Sequence, residues 1–203
     1  AGKESVDSLS AFETRPEQTT QLDAGLIYSS GRLESSVSMF YGEVRDYILI
    51  QTNFSKGARR TTVTRNVDAT TWGGEADVAY ALLPALRLTG TLAYTHGSND
   101  TDNRPLAQMP PLEARAGLDW VRGAWSAGGL VRVVAAQDRV AVDQGNIVGQ
   151  DLGPTAGFTV VSLNSGWTSD LGVQVTAGID NLLDRAYAEH LSRAGAAVAG
   201  YEQ

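Results

Sequence analysis

Three side chains in this sequence have the chemistry to bind a soft transition metal: His96, Met109 and His190. Imidazole nitrogen and thioether sulfur suit such ions, and the chain has no cysteine to add a thiolate. The 2 histidines and 2 methionines are thinly spread, so these groups start out in separate segments. Met109 is read first as the residue before a Pro-Pro strand start; His190 is the metal-ligand candidate. The run "NDTDN" sets Asp100, Asp102 and Asn103 at a spacing that suggests calcium. The glycine and closing glutamate of a calcium loop are missing, so a solvated loop is expected there. Catalysis has less support. No Gly-rich phosphate loop, His-Glu-x-x-His pair or nucleophile elbow occurs, and neither histidine has a nucleophile signal beside it. The chain is therefore expected to be no enzyme and to hold no tightly bound cofactor. A net charge of -7 argues against nucleic acid as a partner.

The elements that must carry these residues are strands. "LRLTGTLAYT" sets Leu86, Leu88, Leu92 and Tyr94 against Arg87, Thr89, Thr91 and Thr95. "LEARAGLDW", "EADVAYAL", "QLDAGLIY" and "LGVQVTAGI" alternate in the same way. Strict period-two alternation means strands with one apolar and one polar face. It predicts about eight antiparallel strands, each long enough to cross a bilayer at a tilt. They are placed near Gln18–Ser29, Leu33–Ile50, Gly74–Leu82, Leu86–His96, Leu112–Val121, Trp125–Gln137, Phe158–Trp167 and Gly172–Asn181, pairing in sequence order. No apolar run reaches the ~18 residues of a membrane-spanning helix.

Short and long connections take turns. "SSGR", "LLPAL", "VRGAW" and "TSDLG" are tight; Gln51–Arg60, His96–Pro111 and Ala135–Phe158 are long and polar. That asymmetry is the pattern of an outer-membrane barrel. Tyr28, Tyr80, Trp120, Trp125 and Trp167 lie beside the short turns and in step with the apolar faces, as an interfacial girdle would. Glu75, Asp77, Arg87, Arg115, Asp119, Arg132 and Gln174 would then face the lumen. The alternative is a soluble β-sandwich with its polar face in water, which explains the alternation equally well but the turn asymmetry poorly.

Four motifs carry a family resemblance. "DNLLDRAY" resembles the signature near the C-terminus of TonB-dependent outer-membrane receptors, through Asn181, Leu182, Leu183, Asp184 and Tyr187. "RPEQTTQLDAGL", "NVDATTWGGEADVAYAL" and "QMPPLEARAGLDW" are similar to strand starts of the same family and occur in its order. "DNLLDRAYAEHLSRAG" and "VVAAQDRVAVDQGNIVGQDLG" look most like the copper-receptor branch.

The resemblance implies an all-β fold: an antiparallel up-and-down meander forming part of a transmembrane β-barrel of about 22 strands with a plugged lumen. It implies that residues 1–203 are a C-terminal fragment of the barrel, without the plug domain and without the final strand. The implied function is part of a receptor and transporter for a scarce nutrient, copper above others, in the bacterial outer membrane. Its implied partners are outer-membrane lipid, the plug, the remaining barrel strands and a TonB-type energy-coupling protein. Alternatives are a passive pore, a siderophore receptor barrel, or a soluble β-rich binding module. Asn181, Leu182, Asp184 and Tyr187 are expected to be structural, with Asp180, Asn181 and Asp184 closing the strand at the rim and Leu182 and Leu183 packing under Tyr187.

Overall fold

The computed structural model describes residues 5–6, 13–56, 59–146 and 149–191. Its strands are β1 (Ser5–Val6), β2 (Gln18–Ser30), β3 (Leu33–Lys56), β4 (Arg59–Leu83), β5 (Leu86–Asn99), β6 (Arg104–Pro105), β7 (Glu113–Arg122), β8 (Trp125–Val134), β9 (Gln144–Gly145), β10 (Phe158–Thr168) and β11 (Gln174–Ile179). The long ones form one open antiparallel sheet in the order β2-β3-β4-β5-β7-β8-β10-β11, a meander with no crossover. Each strand expected from alternation is present.

The four tight connections are hairpin turns. Ser30 pairs with Leu33 and Arg122 with Trp125, leaving two-residue loops that begin at Gly31 and Gly123. Both glycines have positive φ, 57° and 60°, at the first central position, where a primed turn matching the strand twist requires it. At the β10–β11 turn Ser169 Oγ accepts the Val173 N–H at 3.0 Å.

Register confirms the two faces. Tyr28, Tyr80, Trp120 and Trp125 are exposed on the apolar face beside the tight turns, and Trp125 packs against its cross-strand partner Trp167 at 6.3 Å between ring centres. A second aromatic group, Tyr41, Trp72 and Tyr94, lies on the same face toward the long loops. Trp72 and Tyr80 are separated by about 27 Å of strand at ~3.4 Å per residue. At the tilt of ~40° usual in barrels that is about 20 Å along the membrane normal, close to the height of an outer-membrane apolar band. Leu88, Leu118, Val131, Val133, Val173 and Val175 lie exposed between these girdles, and Leu86 is half-buried. The opposite face is polar and internally paired: Arg87 with Glu34 at 2.6 Å, Arg115 with Glu113 at 2.6 Å, Ser36 with Asp77 at 3.3 Å.

Two departures from the expected strands have a common cause. Gln51–Arg60, expected as a loop, is mostly strand: β3 runs on to Lys56, and β4 begins at Arg59 rather than Gly74. Beyond the bilayer neither face meets lipid, so the alternation disappears while β-branched residues such as Thr61, Thr62, Val63 and Thr64 still favour strand. A bulge between Val44 and Tyr47, with Asp46 at φ 57°, changes which face β3's odd-numbered residues occupy. Val37, Met39 and Tyr41 lie exposed on the apolar face, whereas Leu49 pairs opposite Arg65, on the polar face, and is 0% exposed. Among the described residues, Leu49, Val67, Ala69, Leu106, Ala107, Val134, Ala141 and Phe158 are the buried apolar ones. They sit at the long-loop end, where loops cover the sheet's polar face.

Candidate functional site

The cover is built mainly from residues 135–146 and 149–157, described parts of a strap joining β8 to β10. It does not stay beside those strands. Its β9 pairs with β3 at Ile50 and Gln51, reaching past β7, β5 and β4. The Thr52 N–H donates to the Asp143 carbonyl at 2.9 Å, Asn53 Nδ2 to Asp143 Oδ1 at 2.9 Å, and Asn146 Nδ2 to the Tyr47 hydroxyl at 3.1 Å. Tyr47 stands on the part of β3 beyond the bilayer, and burial under the strap pushes its phenol up.

Asp151 is the strap's buried anchor, its side chain 1% exposed. Its carboxylate accepts from the Gln108 N–H at 2.8 Å, from Gln108 Nε2 at 3.2 Å and from the Ala141 N–H at 2.8 Å. A carboxylate removed from water needs such donors. It ties the strap to the loop between β5 and β7.

His190 enters the same corner. Its side chain is 2% exposed, with Nδ1 3.0 Å from Thr155 Oγ1 and Nε2 3.8 Å from Asp151 Oδ1. Nε2 is buried and has no hydrogen-bond partner among the described residues. A cavity of about 300 Å³ beside it is lined by Tyr94, Thr95, Pro110, Glu113 and Glu189 among others.

The structure joins the three soft groups indirectly. Thr155 pairs with Gln137 through two backbone hydrogen bonds of 3.0 and 3.1 Å. Gln137 Nε2 donates to the Met109 carbonyl at 3.0 Å, and Gln137 Oε1 accepts the Arg139 N–H at 3.1 Å. Arg139 NH1 then meets His96 Nδ1 at 2.6 Å. His96 stacks on Trp72 with ring centres 4.9 Å apart, on the lipid-side face of β5 rather than the polar side. Among the described residues no group of three His, Cys, Asp or Glu side chains is arranged to hold a metal ion.

The "NDTDN" carboxylates are engaged by protein. Asp102 pairs with the Arg65 guanidinium and accepts from Asn99 Nδ2 at 2.9 Å; Asp100 accepts from Thr70 Oγ1 at 2.6 Å. Arg65, first of these influences, holds the Asp102 carboxyl below its usual range.

The tail after β11 also folds over the polar face. Asn181 and Asp184 both have positive φ, 51° and 47°, and the Asp184 N–H donates to the Asn181 carbonyl at 2.9 Å. Tyr187 stacks on Phe158 at 4.2 Å; Leu182 and Leu183 remain exposed. Arg132 bridges Glu113 at 2.7 Å and Glu189 at 2.5 Å and lies 5.2 Å over the Phe158 ring. Alternation alone puts Arg132 on the polar face. Nothing local in the sequence marks Gln137, Arg139 or Asp151 as partners across the strap, because their bonds reach segments distant in the chain.

With this geometry in place, the comparisons are specific. The family model described as TonB dependent receptor-like, beta-barrel, matches residues 8–182. The solved structure of "Copper transporter OprC" superposes with a TM-score of 0.87 at 45% identity, covering 98% of this chain and 30% of that one. The FrpB iron transporter from Neisseria meningitidis has a TM-score of 0.65 at 17% identity, covering 95% of this chain and 30% of that one; it shares the fold. An iron-regulated outer membrane virulence protein of Vibrio cholerae serotype O1 is 26% identical over 53% of this chain and 19% of its own length. The chain thus spans about a fifth of that curated relative and about a third of these solved transporters.

Proposed function

The chain belongs to the TonB-dependent receptor β-barrel family of the bacterial outer membrane, and from that premise we propose that it forms part of a barrel that takes up copper. The observation that carries this is the 45% identity to a copper transporter across 98% of the chain, where the iron-transporting barrel gives 17%. Transport in this reading needs a plug domain within the barrel and a TonB-type protein to supply energy, both contributed from outside residues 1–203. The work is passage, not catalysis. Copper is substrate, and no resident cofactor enters the reading.

The strap side faces outward, because long loops mark the extracellular end of such barrels. His190 is the residue proposed to meet copper. Its unpartnered Nε2 faces Asp151 Oδ1 at 3.8 Å, so this segment offers two donors and the remaining ligands come from elsewhere in the receptor.

The test is copper uptake by cells carrying the full-length receptor, with and without the energy-coupling protein, and with ferric siderophore as competitor. Coupled, saturable copper uptake supports the reading. Uptake indifferent to coupling makes the barrel a passive pore, and displacement by ferric siderophore makes it an iron receptor. Copper affinity of His190→Ala beside His96→Ala decides the ligand: an unchanged value in the His190 variant removes this residue from the metal's path.

A further inference from the structure

The strap reaches past three strands to β3, yet one contact near its start ties it to the barrel wall in a chemically unusual way. A guanidinium carries donors and no acceptor. Arg139 NH1 at 2.6 Å from His96 Nδ1 therefore donates into the ring's lone pair, and Arg139 NH2 adds a longer bond to the Gly97 carbonyl at 3.4 Å. The imidazole must be neutral with its proton on Nε2, which faces Ser98 Oγ at 3.5 Å. The groups around the ring are the Trp72 indole stacked on it, the Tyr94 hydroxyl 3.3 Å from Nδ1, Ser98 and Arg139. Among the described residues no carboxylate is hydrogen-bonded to this ring. A proton taken from solvent would occupy the nitrogen that holds the strap and set a second cation against Arg139.

We infer that His96 and Arg139 form an acid-labile latch, which holds the 135–157 strap across the barrel when His96 is neutral and releases its leading end when His96 is protonated. The remaining ties restrict the motion to that end. β9 stays paired with β3, and Asp151 keeps the backbone N–H bonds of Gln108 and Ala141. Release at Arg139 pulls on Gln137 next, through the Arg139 N–H bond to Gln137 Oε1 at 3.1 Å, and so on the wall of the cavity beside Met109 and Pro110. The latch goes beyond the copper reading and does not depend on what is carried; only its placement on the outer side of the membrane follows from family membership.

The experiment uses the full-length receptor in lipid nanodiscs with spin labels at Glu43→Cys, on exposed β3 near the rim, and Asp138→Cys, exposed on the strap. Electron–electron distances are recorded from pH 7.5 to pH 5 without metal. The expected result is one narrow distribution at pH 7.5 that gives way on acidification to a longer, broader one, with its midpoint below the ordinary histidine value, because burial and the Arg139 charge both lower it. His96→Gln keeps an acceptor for Arg139 and cannot titrate, so it should stay narrow throughout. His96→Lys, charged throughout, should be broad throughout. A wild-type distribution that ignores pH, or a step that persists in His96→Gln, overturns the latch.

Discussion

Asn181 holds the backbone of Arg185 from both sides: its Oδ1 accepts the Arg185 N–H at 2.9 Å, and its Nδ2 donates to the Arg185 carbonyl at 3.0 Å. With φ at 51°, Asn181 also occupies a left-handed conformation that asparagine tolerates better than most residues. Both amide groups are thereby spent on turning the chain out of β11. These bonds support our proposal that the signature asparagine is a structural residue, as its place at the strand end suggests.

Asn181→Ala should therefore destabilise the turn without touching ligand affinity. Losing two hydrogen bonds and the side chain's tolerance of positive φ costs about 1–3 kcal/mol. The check is the thermal unfolding midpoint of the full-length receptor set beside its copper affinity. A lost affinity with an unchanged midpoint would make Asn181 a ligand instead.

The apolar face predicts where charge is forbidden. Val131 and Thr89 lie in neighbouring parts of the sheet on opposite faces. Val131→Arg should cost about 2–4 kcal/mol of folding stability in a bilayer, as arginine does near the midplane of a barrel's lipid face. Thr89→Arg, on the polar side, should cost far less. Equilibrium folding into phospholipid vesicles measures both; equal costs would argue against the assignment of faces.

How much of this was legible depended on which solvent wrote the pattern. Lipid on one side and water on the other impose period two, so the strands between the girdles, from Tyr28 to Ile179, could be read directly. Above the bilayer that constraint ends, which is why β4 was expected only from Gly74 although it starts at Arg59. The strap is harder still. "AQDRVAVDQGNIVGQDLG" has no period, and β9 reaches β3 only because the folded sheet brings their ends together. Arg132 could be assigned to the polar face by counting, but its partner Glu189 lies beyond the turn at Asn181 and could not. His96 sits at the end of a readable strand, and the same alternation puts it on the lipid side. Its role emerges only with Arg139 in place.

Gly73 should tolerate no side chain. It sits mid-strand opposite Phe40, and a Cβ there would lie 2.3 Å from the Tyr94 carbonyl and 2.9 Å from the Phe40 ring. The carbonyl belongs to the neighbouring strand's ladder and cannot yield without disturbing it. Gly73→Ala should cost about 1–3 kcal/mol, the usual penalty of overpacking. Gly25→Ala is the control, since its nearest neighbour would be the Val37 carbonyl at 3.5 Å, an ordinary contact. Comparable unfolding midpoints for the two variants would contradict the crowding at Gly73.

The last prediction concerns acid and the loop that follows β5. Arg65 and Asn99 both stabilise the ionised Asp102, and the Asp102 N–H donates back to Asn99 Oδ1 at 3.0 Å, closing the loop on itself. The folded carboxyl is depressed, so between the folded and unfolded values the unfolded loop binds more protons and stability rises with pH. The contribution is fully present above the unfolded value of about 3.9 and is lost as pH falls through the lowered folded one. With side chains 33% and 24% exposed, the Arg65–Asp102 pair is partly screened, so its contribution is about 1–2 kcal/mol of local stability. Hydrogen exchange of residues 99–104, corrected for the intrinsic effect of pH, should show protection that is steady from pH 7 to pH 5 and declines below pH 4. Arg65→Leu should remove most of that protection at neutral pH and flatten the acid dependence. Protection in Arg65→Leu that still falls steeply with acid would mean that another carboxylate, not Asp102, closes the loop.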